Sequence, residues 1–266
     1  MKFGICLNMN ATGPDGTGIE YIEKAAQIGF DYVELPLAEM MALSEADFEA
    51  MIGRVRASGV PCETCNNFFP KTSRLTGEAA DIPGALQYAA IALSRAARLG
   101  AKAVVFGSGG AKNVPEGYPL EKGFEQVATL LTGIAPIARD NGIVIAIEPL
   151  RKAECNLINT FEEGCALARA VGSDAVRVLV DYYHFMTEAE PVENLIRDGG
   201  EFLRHSHFAR VEGRSFPRET GEDPAYRPYF DALRRVGYDA RVSLEAYTRD
   251  FDAEAPAALR FLRQSI

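Results

Sequence analysis

Phe3-Gly-Ile-Cys-Leu7, followed at once by Asn8-Met-Asn10, is the stretch on which the fold turns. The first five residues read as a β-strand, and an open doubly wound sheet would usually place a glycine-rich phosphate turn directly after it. Leu7-Asn-Met-Asn10 is no such turn. From there on the chain alternates strictly between short apolar runs and amphipathic segments. A helix over Gly18–Gly29 precedes a strand at Tyr32–Leu35. A second helix starts from a Ser44 N-cap, with Glu45 and Asp47 in its first turn, and ends near Ser58-Gly59. Val60–Asn66 is the third strand, Pro83–Leu99 a long helix stopped by Gly100, and Ala103–Phe106 the fourth strand. The second half repeats the pattern: helix Leu120–Asn141, strand Val144–Ile147, a Thr160-capped helix to Val171 and strand Val176–Val180. Then come helix Pro191–Asp198, strand Phe202–Ser206, helix Pro228–Val236, strand Arg241–Leu244 and helix Pro256–Arg263, whose proline suits a first helical turn. Eight strands alternating with eight helices, and no linker to divide them, predict an α/β fold. It is a single (β/α)8 barrel domain over residues 1–266.

Composition narrows the function. The chain has 266 residues, 47% hydrophobic and 24% charged, which is ordinary for a globular protein with a sizeable core. A formal charge of -9 with no basic cluster speaks against a nucleic-acid partner, which needs Lys and Arg to displace counterions. No apolar run approaches the roughly 18 residues that span a bilayer, so no membrane partner is expected, and Met1-Lys-Phe-Gly-Ile-Cys-Leu7 is too short in its apolar part for a signal peptide. Five scattered cysteines do not make a disulfide framework. These features together point to the reducing cytoplasm. Cys62 and Cys65 form a C-x-x-C, but an odd spacing on a strand sends their side chains to opposite faces, so two ordinary strand cysteines are expected.

All three histidines lie between His184 and His207, beside Asp181. In a barrel of this kind the chemistry sits at the C-terminal rim of the strands. The last four strands there end, in order, at Glu148, Asp181, His207 and Glu245. Three carboxylates and an imidazole converging on one rim would repel strongly if left uncompensated. A divalent cation resolves this, because three negative charges against +2 leave about -1. Oxygen-rich ligation with one imidazole suits Mn²⁺, with Mg²⁺ and Co²⁺ as alternatives, rather than a structural zinc site of Cys and several His.

The motifs IEPL at Glu148, VDYYH at Asp181 and His184, HSHF at His207 and SLEAY at Glu245 resemble those of the xylose-isomerase-like TIM barrel superfamily of sugar isomerases and epimerases. Within it the likeness is to ketose 3-epimerases of the tagatose/psicose type. The resemblance implies that Glu148, Asp181, His207 and Glu245 are the metal ligands. It also implies that Glu148 and Glu245 are the acid/base pair. His184, three residues after the Asp ligand, and Glu154, six after the first ligand, would contact substrate. So would Arg214, although it follows the His ligand by seven residues where the family has six and Gly213 holds that place.

The expected reaction is C3 epimerisation of a ketose through a metal-stabilised enediolate. Inversion beside a carbonyl needs two bases on opposite sides, each able to act as an acid in turn. The same ligands serve aldose–ketose or hydroxypyruvate-type isomerisation and inosose-type dehydration, because all begin with proton abstraction beside a carbonyl. A non-enzymatic sugar-binding barrel is the remaining class. The partner expected is a small sugar, and by resemblance a second copy of the chain in a homodimer or homotetramer. His205 is read as a packed, hydrogen-bonded histidine beneath His207. Gly107-Ser-Gly-Gly110 is read as a flexible loop. Asn66-Asn-Phe-Phe69, Phe208 and Phe216 are open between an apolar wall over the sugar and loop anchors or oligomer contacts.

Overall fold

The computed structural model describes residues 1–218 and 226–265. Eight parallel strands close in sequence order: β1 Lys2–Cys6, β2 Tyr32–Pro36, β3 Cys62–Asn66, β4 Ala103–Phe106, β5 Val144–Ile147, β6 Val176–Asp181, β7 Leu203–Phe208 and β8 Arg241–Leu244. The ring is completed by β8 on β1, with Lys2 opposite Arg241 and Ile5 opposite Leu244. Outside it run α1 Ile22–Ile28, α2 Leu37–Ala42, α3 Glu45–Ser58, α4 Ile82–Leu99, α5 Gly109–Lys112 and α6 Leu120–Asp140. The circuit is finished by α7 Phe161–Val171, α8 Tyr182–Thr187, α9 Val192–Phe202, α10 Tyr226–Arg235 and α11 Phe251–Ser265. This is the (β/α)8 barrel expected from the alternation.

Local signals behave as their chemistry dictates. The Ser44 hydroxyl accepts from the Asp47 N–H, and Thr160 with Glu163 forms a reciprocal capping box at the start of α7. Three short helices have no counterpart in the sequence pattern. They are α2, α5 and α8, each too brief for a periodic signal and each placed soon after a strand, on the rim. α11 also begins five residues before Pro256 rather than at it. The Asp250 carboxylate accepts from the Ala253 N–H there, which starts the helix at Phe251 and leaves the proline inside. β7 runs two residues past the expected Ser206, so His207 lies within the strand.

The pair Cys62 and Cys65 is a correction. Val33 pairs with Cys62 but Glu34 with Thr64, so β3 carries an extra residue at a bulge. That bulge breaks the period of two, and the thiols meet: hydrogen bonding to Cys62, and then burial, push the Cys65 thiol up. Both remain free, buried cysteines.

Inside the barrel the two-residue period stacks side chains in depth. Two residues before Glu148, Asp181, His207 and Glu245, on the same strands, stand Ala146, Leu179, His205 and Ser243, all completely buried. Val105, Ala146 and Leu179 form a small apolar cluster of their own on the β4–β6 side. The opposite side is polar, with Tyr32, Glu34, Thr64, His205 and Ser243 fully buried. Gly4 makes room there, since a methyl on it would lie 2.3 Å from the Tyr32 ring. Phe208 faces outward instead, its ring 4.9 Å from Tyr182, 5.2 Å from Phe230 and 5.3 Å from Phe261. It is a barrel-to-helix core residue. No helix among the described residues is long and apolar enough to cross a membrane.

Candidate active site

The four strand-end residues come together. Ligand-capable atoms of Glu148, Asp181, His207 and Glu245 all lie within 4.8 Å of one another, and all four residues are buried. Glu148, Asp181 and Glu245 stand at the ends of the largely apolar strands β5, β6 and β8, whereas His207 comes from the polar strand β7, Leu203-Arg-His-Ser-His-Phe208. His207 Nδ1 sits 3.2 Å from Glu148 Oε1 and 3.1 Å from Glu245 Oε2. Asp181 has divided duties. Its Oδ1 accepts from the Tyr183 N–H at 2.8 Å as the N-cap of α8, while Oδ2 faces the site. The donor set, oxygen-rich with one imidazole and shielded from water, fits an oxygen-preferring divalent cation.

Electrostatics separate the carboxylates. Burial pushes Asp181 up to about 7 and outweighs the nearby Arg214. Burial and Glu245 also raise Glu148, against the pull of His207. Burial alone would raise Glu245, but Arg214 and His207 overcome it and hold that carboxyl down at about 2. For His207, burial opposes the charge, yet Glu34 and then Glu245 carry the imidazole well above its usual range.

The three expected substrate contacts face the same space. Arg214 reaches Asp181 Oδ2 at 3.2 Å and pairs with Glu245, with its guanidinium 4.9 Å over the Tyr183 ring. Gly213 and Arg214, with φ of 67° and 46°, are consecutive left-handed residues that turn the chain at that point. His184, on α8, accepts the Arg151 N–H at Nδ1, 3.2 Å away. Its Nε2 has no hydrogen-bond partner among the described residues. Burial, then Arg214, push His184 down to about 3, so it is neutral and carries its proton on Nε2. Glu154 accepts from Arg151 Nε at 2.7 Å.

Glu148, Glu154, His184, Arg214 and Glu245 line a cavity of about 560 Å³, together with Glu39, Asn67, Phe69, Lys71, Ser108 and Tyr247. Phe69 and Tyr247 are thus aromatic residues of the cavity lining, while Phe216 packs against Phe251. Gly107-Ser-Gly-Gly110 lines the cavity and leads into α5.

Sequence reasoning missed three residues. Glu34, in the middle of β2, is completely buried and bonds both His205 and His207. Its signal was a carboxylate inside an apolar strand, at a position the period of two turns inward. Lys112 is completely buried, its Nζ donating to the carbonyls of Gly107 at 2.5 Å and Glu148 at 3.2 Å. Gly107 abuts Glu148: a methyl there would lie 2.2 Å from Glu148 Oε2. Neither had a local signal. His205, read as a histidine beneath His207, is completely buried and 2.9 Å from Glu34.

A family model described as "Xylose isomerase-like TIM barrel" matches residues 22–265. The chain is 28% identical over 239 residues to the D-psicose 3-epimerase of Agrobacterium fabrum, covering 86% of this chain and 79% of that protein. It is 25% identical over 253 residues to the ketose 3-epimerase of Arthrobacter globiformis, covering 93% and 84%. The solved D-psicose 3-epimerase from Clostridium cellulolyticum H10 shares the fold at a TM-score of 0.86 and 23% identity, covering 100% of this chain and 99% of that one.

Proposed function

Because this chain belongs to the xylose isomerase-like TIM barrel family, we propose that its rim site catalyses reversible C3 epimerisation of a free ketose. Its curated relatives are named epimerases and isomerases, and an isomerase-class enzyme follows from them. The observation that carries the specific reaction is a pair of carboxylates, Glu148 and Glu245. They come from strands on either side of β6 and β7, flank one imidazole nitrogen and open on one cavity.

Held by Glu148, Asp181, His207 and Glu245, a divalent cation (Mn²⁺, with Mg²⁺ and Co²⁺ as alternatives) would polarise the substrate carbonyl and neighbouring hydroxyl as a Lewis acid. The chain's own residues move the protons. Glu245 takes the C3 proton and Glu148 returns one from the other side; the reverse reaction exchanges the roles. The oxygens not engaged by His207, Glu245 Oε1 and Glu148 Oε2, are the ones free for this transfer. His184 presents Nε2–H to the substrate oxygen where charge develops, a neutral donor because the Arg151 amide occupies Nδ1. Arg214 and Glu154 hold substrate hydroxyls at the cavity wall.

The test is a panel of ketoses incubated with the protein and each of the three ions in D₂O, followed by NMR. Deuterium at C3 with a new diastereomer is expected. Deuterium at C1 or C2 with aldose formation would replace this reading with 1,2-isomerisation.

A mutation at Gly107 probes the placement of Glu148. Gly107→Ala puts a methyl against Glu148 Oε2. A misplacement of about 1 Å costs about 10²-fold in rate, so kcat/KM should fall by that order. Overpacking should destabilise the protein by about 1–3 kcal/mol, read as a fall in Tm of about 2–12 °C.

A further inference from the structure

Resting on the cation reading of the rim site, we propose that Glu34 is the positioning residue that fixes His207 as a ligand through Nδ1. Glu34 never reaches the cavity; it is completely buried in the barrel interior beneath the site. Both oxygens of its carboxylate accept hydrogen bonds. Oε2 accepts from Thr64 Oγ1 at 2.7 Å, Ser243 Oγ at 2.7 Å and His205 Nε2 at 2.9 Å. Oε1 is left to His207 alone, at 3.1 Å from Nε2. Tyr32 stands behind Ser243, its hydroxyl 2.7 Å from Ser243 Oγ, which leaves the serine proton for Glu34.

An ionised carboxylate accepts and cannot donate. The nitrogen of His207 that faces it must therefore carry the ring proton. In the neutral imidazole the lone pair is then on Nδ1, the atom that lies between Glu148 and Glu245. A carboxylate behind a ligating histidine fixes its tautomer and ring orientation and raises its basicity. The three donors on Oε2 hold the carboxylate ionised and aimed, so that neither oxygen turns away from His207. Cys6 also lies close to Glu34 and His207. The lone pairs of Glu34 Oε2 are taken by Thr64, Ser243 and His205 and its Oε1 faces His207, so the carboxylate is committed to these donors.

Two measurements decide the matter without reference to turnover. In the Mg²⁺-loaded wild-type protein, long-range ¹H–¹⁵N NMR of His207 should show a proton on Nε2 and none on Nδ1. Glu34→Gln brings an amide N–H₂ into a pocket where every neighbour already donates, and one of them must give way. Calorimetric titration of the metal-free variant with Mn²⁺ or Co²⁺ should show an affinity lower by about 10–100-fold. Thr64→Val, which removes one donor from Oε2 and leaves the Oε1–His207 bond, should change that affinity far less. A proton on Nδ1 of His207 in the loaded wild type overturns the inference, as does wild-type affinity in Glu34→Gln. If Glu34→Gln does not fold, the wild-type tautomer decides alone. A wild-type protein that binds none of Mn²⁺, Mg²⁺ or Co²⁺ overturns the cation reading itself, and the role of Glu34 with it.

Discussion

Replacing Glu148 by Gln is expected to abolish net epimerisation, lowering kcat by about 10²–10⁴-fold, the usual range for one acid/base group. The substitution keeps size and leaves a carbonyl oxygen for ligation, but an amide neither takes nor returns the proton. The loss should be one-sided. Glu245 remains, held ionised at about 2 by Arg214 and His207 against burial. It can still remove the C3 proton of one epimer and return solvent deuterium to the same face. Glu148→Gln in D₂O should therefore exchange one epimer without inverting it, and Glu245→Gln should exchange only the other. NMR of both epimers with each variant, at matched metal content, checks this. Glu148→Gln that still epimerises and exchanges both sugars at the wild-type rate rules out the two-base scheme.

Chelation of the cation should remove activity and lower stability together. An ion that binds only the folded state adds about 2.7 kcal/mol when present at 100 times its Kd. At about 2–4 °C per kcal/mol for a chain of this size, the metal-free protein should melt about 5–10 °C lower. The gap should depend on pH with a definite sign. In the metal-free fold Asp181 is pushed up to about 7 by burial, above its ordinary 3.8. A carboxyl raised on folding favours the fold only while protonated. That contribution is full below about pH 4 and disappears as pH rises through about 7. Ligation needs the ionised form, so the loaded protein lacks this loss, and binding releases a proton on the acid side of 7. The difference in Tm between loaded and metal-free protein should widen from about pH 5 to about pH 7.5, and cation affinity should rise over the same range. Calorimetric scans and titrations across that range measure both; a gap that narrows with pH contradicts the assignment.

The split between Glu148 and Glu245 shows how far residue type alone reaches. Both are Glu at the end of an apolar strand, and in one dimension they are equivalent. Arg214 distinguishes them, by pairing with Glu245 from a turn in which Gly213 and Arg214 both take left-handed φ. Seven residues after His207 instead of six is a small change in spacing. The backbone conformation, which spacing does not encode, decides where the guanidinium arrives. The C-x-x-C at Cys62 and Cys65 carries the same lesson: period two holds only in an unbulged strand, and the bulge in β3 is set by its pairing with β2.

The order of the eight strands and of the eight longer helices between them, the closed barrel and the placement of Glu148, Asp181, His207 and Glu245 at the rim were determined by the sequence itself. The short rim helices α2, α5 and α8 were not. Apolar periodicity, caps and the polar residue that ends a strand are local signals, each carried by a short run of neighbouring residues. What only the tertiary structure decided is how those four are held: Glu34 beneath His207, Lys112 on the carbonyls of Gly107 and Glu148, and Gly107 yielding its side-chain space to Glu148. Glu34 and His207 are 173 residues apart, and no local pattern joins them. They meet because the barrel closes: the pairing of β8 with β1 brings Glu34 of β2 and His207 of β7 into one interior.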